Sequence, residues 1–115
     1  MLIDKELIKG SSKTVILQLL SKKGMHGYEL SSQIKSLTQG AIEISEGTIY
    51  PTLHSLEADG YIESQWAESE GKRKRKVYKI TSSGRKLLKE RKASWNDFLK
   101  AMQSLLPVKS NILEA

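Results

Sequence analysis

Cysteine is absent from this 115-residue chain, which excludes a disulfide framework and a thiolate zinc site. Histidine is scarce: His26 and His54 stand alone, far apart and without a partner at i, i+4 spacing, so no metal site is expected. Long apolar runs are missing too. None approaches the ~20 residues needed to cross a bilayer, and the opening "MLIDKELIKG" has no apolar signal-peptide core. No membrane association is expected, and the protein reads as soluble and cytoplasmic. The chain lacks a GxSxG elbow, a GxxxxGK[ST] loop and a GxGxxG fingerprint. The carboxylates Glu43, Glu46, Glu57 and Asp59 surround no evident pocket. Neither an enzyme nor a cofactor is expected.

What the chain does have is concentrated positive charge. The formal total of +6 hides a strong asymmetry. Residues 1–71 carry 6 cations against 10 anions, residues 72–92 carry 11 cations against Glu90 alone, and the remainder balances. Five of those cations are consecutive: Lys72, Arg73, Lys74, Arg75 and Lys76. A field focused in this way attracts phosphates, acidic surfaces or acidic proteins, and nucleic acid is the leading partner on charge alone.

Helical spacing of Val15, Ile16, Leu19 and Leu20 predicts an amphipathic helix from Ser12 to Lys23, stopped by Gly24. An extension back through Leu7 and Ile8 would have to cross Gly10, which disfavours a helix interior by roughly 1 kcal/mol. "GYELSSQIKSL" predicts a second helix, with Leu30, Ile34 and Leu37 on one stripe and Gly40 beyond its end. In "AIEIS", Ile42 and Ile44 alternate with polar neighbours, as in a strand of about three residues. A third helix follows, striped by Ile49, Leu53 and Leu56 and closed at Gly60. Its start is open: with Thr48 as N-cap, Pro51 falls in the first turn, whereas with Ser45 the helix should bend.

"YIESQWA" and "KRKVYKI" read as two strands of a hairpin joined by "ESEG". Ile62, Trp66, Tyr78 and Ile80 supply its buried face, so the charges belong towards the tip. Thr81 then caps a helix of ~25 residues, or ~37 Å, running to Leu106 before Pro107. That exceeds the ~12 Å radius of gyration expected of the preceding ~80 residues. Leu88, Trp95, Leu99, Met102 and Leu106, flanked by Phe98 and Leu105, form a four-three packing seam with no internal partner. A symmetric homodimer through this helix is the expected consequence.

The order of elements gives a mainly α fold with a small β-hairpin (α+β): a winged helix-turn-helix at 1–80, a dimerisation helix at 81–107 and a flexible tail at 108–115. In such a fold the third helix reads a DNA groove, here with Thr48, Thr52 and Ser55 on one outer face and Tyr50, Pro51 and His54 beside it. Tyr28, early in the second helix, reads as a packing residue whose hydroxyl could reach a phosphate. The five-cation run would lie over the backbone or in a neighbouring minor groove. The competing reading is a winged-helix module that binds protein or RNA through the basic hairpin.

"HGYEL" at 26–30, "EGTIYPTLHSLEADGYI" at 46–62 and "RKVYKITSSG" at 75–84 together resemble the PadR family of winged-helix transcriptional regulators, across most of residues 12–106. The single helix after the wing is similar to the short members. The resemblance implies a dimeric bacterial repressor on a pseudo-palindromic operator, released by a small molecule or stress signal. It also implies that Trp95, in "KASWNDFL", with Phe98 a turn away, lines a site between subunits for a planar aromatic effector. Val77 departs from the family's frequent tyrosine, and the cation run is denser than usual.

Overall fold

The computed structural model describes residues 2–68 and 74–107. Lys72 and Arg73 and the proposed tail at 108–115 lie outside the described residues. The elements run α1 (Lys5–Ile8), α2 (Ser12–Leu20), α3 (Gly27–Leu37), α4 (Glu46–Ala58), β1 (Ile62–Glu68), β2 (Lys74–Ile80) and α5 (Ser82–Leu105). Gly10 separates α1 from α2 with φ +90°, so the helix does not extend backwards as an unbroken rod.

Ile16, Leu17 and Leu20 of α2, Leu30 and Ile34 of α3, and Ile49, Leu53 and Leu56 of α4 close on one another with almost no exposed surface. Ile62 and Tyr78 bring the hairpin into the same core, and Leu88 adds the first turns of α5. The stripes of α2 and α4 pack as a 3.6-residue period requires, whereas Leu37, expected on the α3 stripe, is 67% exposed at the end of that helix.

His26 caps α3 in a reciprocal box. Its Nδ1 accepts from the Glu29 N–H at 3.3 Å, and Glu29 accepts from the His26 N–H at 3.4 Å. After α3 the chain turns through left-handed Gln39 and Gly40. The strand expected at Ile42–Ile44 does not form. Its place on the sheet edge is taken by Met25, which exchanges backbone bonds of 3.1 and 2.8 Å with Tyr78 of β2. Ile44 is buried as a loop residue instead, its carbonyl accepting from Ser31.

Ser45 is the N-cap of α4. Pro51 therefore lies beyond the first turn and supplies no N–H to the carbonyl of Gly47, four residues back. Gly60 follows with φ +80°, the left-handed ending expected there.

The hairpin is antiparallel, pairing Ile62 with Ile80, Ser64 with Tyr78 and Trp66 with Lys76. Trp66 shares a face with Ile62 and Ser64, yet it is 66% exposed. The expectation of a core tryptophan is corrected: the cover of this face stops at Ser64 and Tyr78, and Trp66 lies one step further towards the tip. Burial pushes the Tyr78 phenol above its ordinary value, with Glu57 and Tyr50 adding to the effect. The folded state thus retains a proton that the unfolded chain loses near pH ~10. Stability should fall as pH rises beyond ~10, and the fall should be shallower in Tyr78→Phe when denaturant midpoints are followed against pH.

α5 begins with Thr81, whose hydroxyl oxygen accepts from the Gly84 N–H at 3.1 Å while its hydrogen goes to the Gly60 carbonyl at 2.8 Å. Only the first turns of α5 are packed within the chain, and beyond Leu88 no described residue is fully buried. The molecule consequently measures 52 × 31 × 24 Å. Among the described residues no helix is long and apolar enough to cross a membrane.

Candidate nucleic-acid interface

At ~100° per residue, the side of α4 opposite its core stripe carries Gly47, Pro51, His54 and Ala58, all exposed. His54 and Pro51 thus form the outermost edge. Thr48, Thr52 and Ser55 lie on one flank, Thr48 exposed and the other two half-buried. Thr48 and Thr52 line a groove of about 1070 Å³ shared with α1 and with Arg91 of α5. Thr52 is half-buried and its hydroxyl donates to the Thr48 carbonyl at 2.8 Å.

The other flank holds Tyr50 and Glu57. Tyr50 is 38% exposed, and its ring lies on Gly27: a methyl placed there would come within 2.6 Å of the ring carbon Cε1. A bare backbone at Gly27 therefore lets the tyrosine bridge α3 and α4. Tyr28, 61% exposed, stands on the first turn of α3 with its ring 6.3 Å from that of His26.

Sequence reasoning gave no warning of how the wing is held. On one face, Glu57 of α4 accepts the hydroxyl proton of Ser64 and pairs with Lys76, Nζ to Oε1 3.6 Å. The Lys76 ammonium also lies 5.8 Å from the centre of the Tyr78 ring. On the other face, Arg75 approaches Nε2 of His26 to 3.2 Å. That nitrogen bears the ring proton when Nδ1 serves as the cap acceptor, and it faces the Glu29 carboxylate at 3.2 Å. Of the three described cations of the run, Lys76 is paired with the body of the domain and Arg75 lies against it. Lys74 is exposed, opposite Glu68 on β1.

The seam residues divide. Leu88 is 6% exposed and packs in the chain's own core, so it is removed from the set available to another subunit. Phe98, Leu99 and Leu106 are 53, 45 and 56% exposed. Trp95 and Met102 are half-buried. Trp95 meets Phe98 edge to face, ring centres 5.7 Å apart.

Three helices, a hairpin beside the third, and a cationic strand on that hairpin define a winged helix-turn-helix protein. The chain belongs to the transcriptional regulator PadR-like family, which it matches over residues 16–90. It is 36% identical to the transcriptional regulator Rv3488 of Mycobacterium tuberculosis over 86 residues, 75% of this chain and 77% of that protein. A transcriptional regulator from Clostridium thermocellum, Cth-833, has a similar structure, with a TM-score of 0.83 and 33% identity over 90% of this chain and 98% of that one. Bacillus subtilis PadR, solved in complex with operator DNA, gives a TM-score of 0.64 and 29% identity over 72% of this chain and 46% of its own. These likenesses bear out the winged-helix fold and set the chain among regulators rather than enzymes.

Proposed function

We propose that the protein is a cytoplasmic repressor that binds a pseudo-palindromic DNA operator as a homodimer. The observation that carries this reading is the placement of Lys74, Arg75 and Lys76 on a strand tied through Glu57 to the flank of α4, beside its exposed edge. Base edges would meet His54, Pro51 and Thr48, while Tyr28, Tyr50 and Lys74 would address phosphates. The likeness to Bacillus subtilis PadR, whose structure holds operator DNA, supports the same partner. Lys72 and Arg73 join the phosphate contacts in this reading on their sequence position alone. The purified protein should retain a discrete set of genomic fragments against excess bulk DNA at ~150 mM salt, where purely electrostatic binding is weak. Retention of random fragments alone would favour the interaction-module reading.

Release is assigned to a planar aromatic effector at the subunit contact. Trp95 and Phe98, already packed edge to face, offer ring surfaces that a second subunit would double, and a cationic ligand gains further attraction from the ring faces. Binding must favour one arrangement of the two wings, since a ligand shifts an equilibrium only by its differential affinity. Planar cationic dyes should therefore weaken operator binding in the wild type and leave it unchanged in Trp95→Ala. Equal release from both proteins would remove Trp95 from the sensor.

A further inference from the structure

Trp66 has no place in the core. Its neighbours explain why it is nevertheless held. Ser64, two residues earlier on the same face of β1, and Lys76, directly opposite on β2, both bind the carboxylate of Glu57. Opposed side chains on a hairpin have Cβ atoms only ~5 Å apart, and the next position on the same face is ~7 Å along the strand. One carboxylate on the reading helix therefore fixes residues on both sides of an indole that is 66% exposed. The next pair towards the tip on this face is Glu68 with Lys74, and Arg75 follows Lys74 on the opposite face.

We infer that Trp66 is a DNA-contacting residue of the wing, laying its ring on the deoxyribose and phosphate edge of the duplex that α4 reads. The inference rests on the DNA-binding reading above. Duplex DNA is the occupant favoured by charge: Lys76 lies opposite the indole and Lys74 one step further along the same face, and the surface continues through Glu57 to the exposed edge of α4. The ring covers apolar sugar atoms while its N–H can donate to a phosphate oxygen. Glu57 is a positioning residue here. It keeps Lys76 folded against Tyr78, which leaves the indole uncovered, and it sets the distance between the ring and the reading helix.

Full-length protein labelled with 5-fluorotryptophan provides the test, because Trp66→Phe identifies the resonance of Trp66 against that of Trp95. A mixed-sequence duplex at ~50 mM salt is the probe, since non-specific binding is tight there. In free protein the Trp66 resonance should respond to exchange of H2O for D2O, and the duplex should shift it and suppress that response. Trp66→Ala should lower duplex affinity about tenfold at every salt concentration, so that log K against log salt moves without changing slope. Lys74→Ala should instead flatten the slope by ~0.9. Trp66→Phe should recover most of the affinity. In a Glu57→Ala background, removing the indole should cost less than in the wild type.

Duplex binding with an unmoved Trp66 resonance, or unaltered affinity in Trp66→Ala, overturns the contact while leaving the DNA-binding reading intact. Solvent insensitivity of Trp66 in the free protein would assign it to a contact between copies and also overturn the proposal. Failure of the wild type to bind any duplex would sink both readings. An undiminished loss in the Glu57→Ala background would remove Glu57 from its positioning role.

Discussion

Gly84→Ala should destabilise the folded protein by about 3 kcal/mol or more, the upper range for forcing extra volume into a packed site. A methyl at this position would overlap the Tyr61 carbonyl oxygen and approach Ile80 Cγ1 to 2.7 Å. The first of these is backbone and cannot rotate away. It is also held in place, because the same carbonyl accepts from the Thr81 N–H at 3.0 Å. Thr81 and Ser83 both donate to the neighbouring Gly60 carbonyl, so the entry of α5 cannot slide without breaking its cap. With ~4–8 °C per kcal/mol for a domain of 60–100 residues, the melting temperature should drop by roughly 12–24 °C. Gly40→Ala is the natural control. It has φ +81° and nothing within 4 Å of an added methyl, so only backbone strain of ~1–2 kcal/mol applies. Circular dichroism melts at equal protein concentration separate the two, and a Gly84→Ala loss no larger than that of Gly40→Ala would show that α5 docks more loosely than its contacts indicate.

Legibility of this fold in its sequence follows the range of the interaction involved. The helical stripes of α2, α3 and α4, the left-handed ending at Gly60 and the Thr81 cap are local periodicities or short-range bonds, and each was readable from a few residues. Alternation along β1 correctly put Ile62 and Trp66 on one face. It could not say where the covering helices end, and Trp66 lies past that limit. The seam on α5 had the same defect in reverse: its four-three spacing is continuous only from Trp95, with Arg91 and Lys92 between that residue and Leu88, and Leu88 packs inside the chain while its successors do not. Ile42 and Ile44 alternate as a strand would, but Met25 occupies the edge of β2.

The cation run shows a further limit. Charge density drew attention to the wing, but nothing local distinguishes Lys76, paired with Glu57 nineteen residues earlier, from Lys74. The contacts of His26 and Glu57 join separate elements and leave no periodic trace. Val77, the departure from the resembling motif, is half-buried beside Gly24, where it packs without disturbing the strand.

Leu99→Asp should convert a dimer into monomers, the largest change expected outside the folded core. The premise is that α5 projects beyond its own domain with Phe98, Leu99 and Leu105 exposed and Met102 beside them. Covering a leucine removes ~1.5–3 kcal/mol of exposure to water, and a buried unpaired carboxylate costs several more. Two-fold symmetry applies the change twice. The dissociation constant should therefore rise at least ~10³-fold, which needs only ~4 kcal/mol. Sedimentation at micromolar concentration should give about 12.9 kDa for the variant and twice that for the wild type. The winged domain should keep its thermal transition, because Leu88 and the core before it do not depend on a partner. Helical circular dichroism should nevertheless decline, since the part of α5 beyond Leu88 would lose the packing of its apolar face, the main source of helix stability in proteins. Operator binding should fall with the dimer, because a monomer engages one half-site where the pair spans two, ~34 Å or a multiple apart. A wild type that sediments as a monomer would refute the subunit contact, a Leu99→Asp variant that stays dimeric would move it away from α5, and either result would remove the effector site assigned to Trp95.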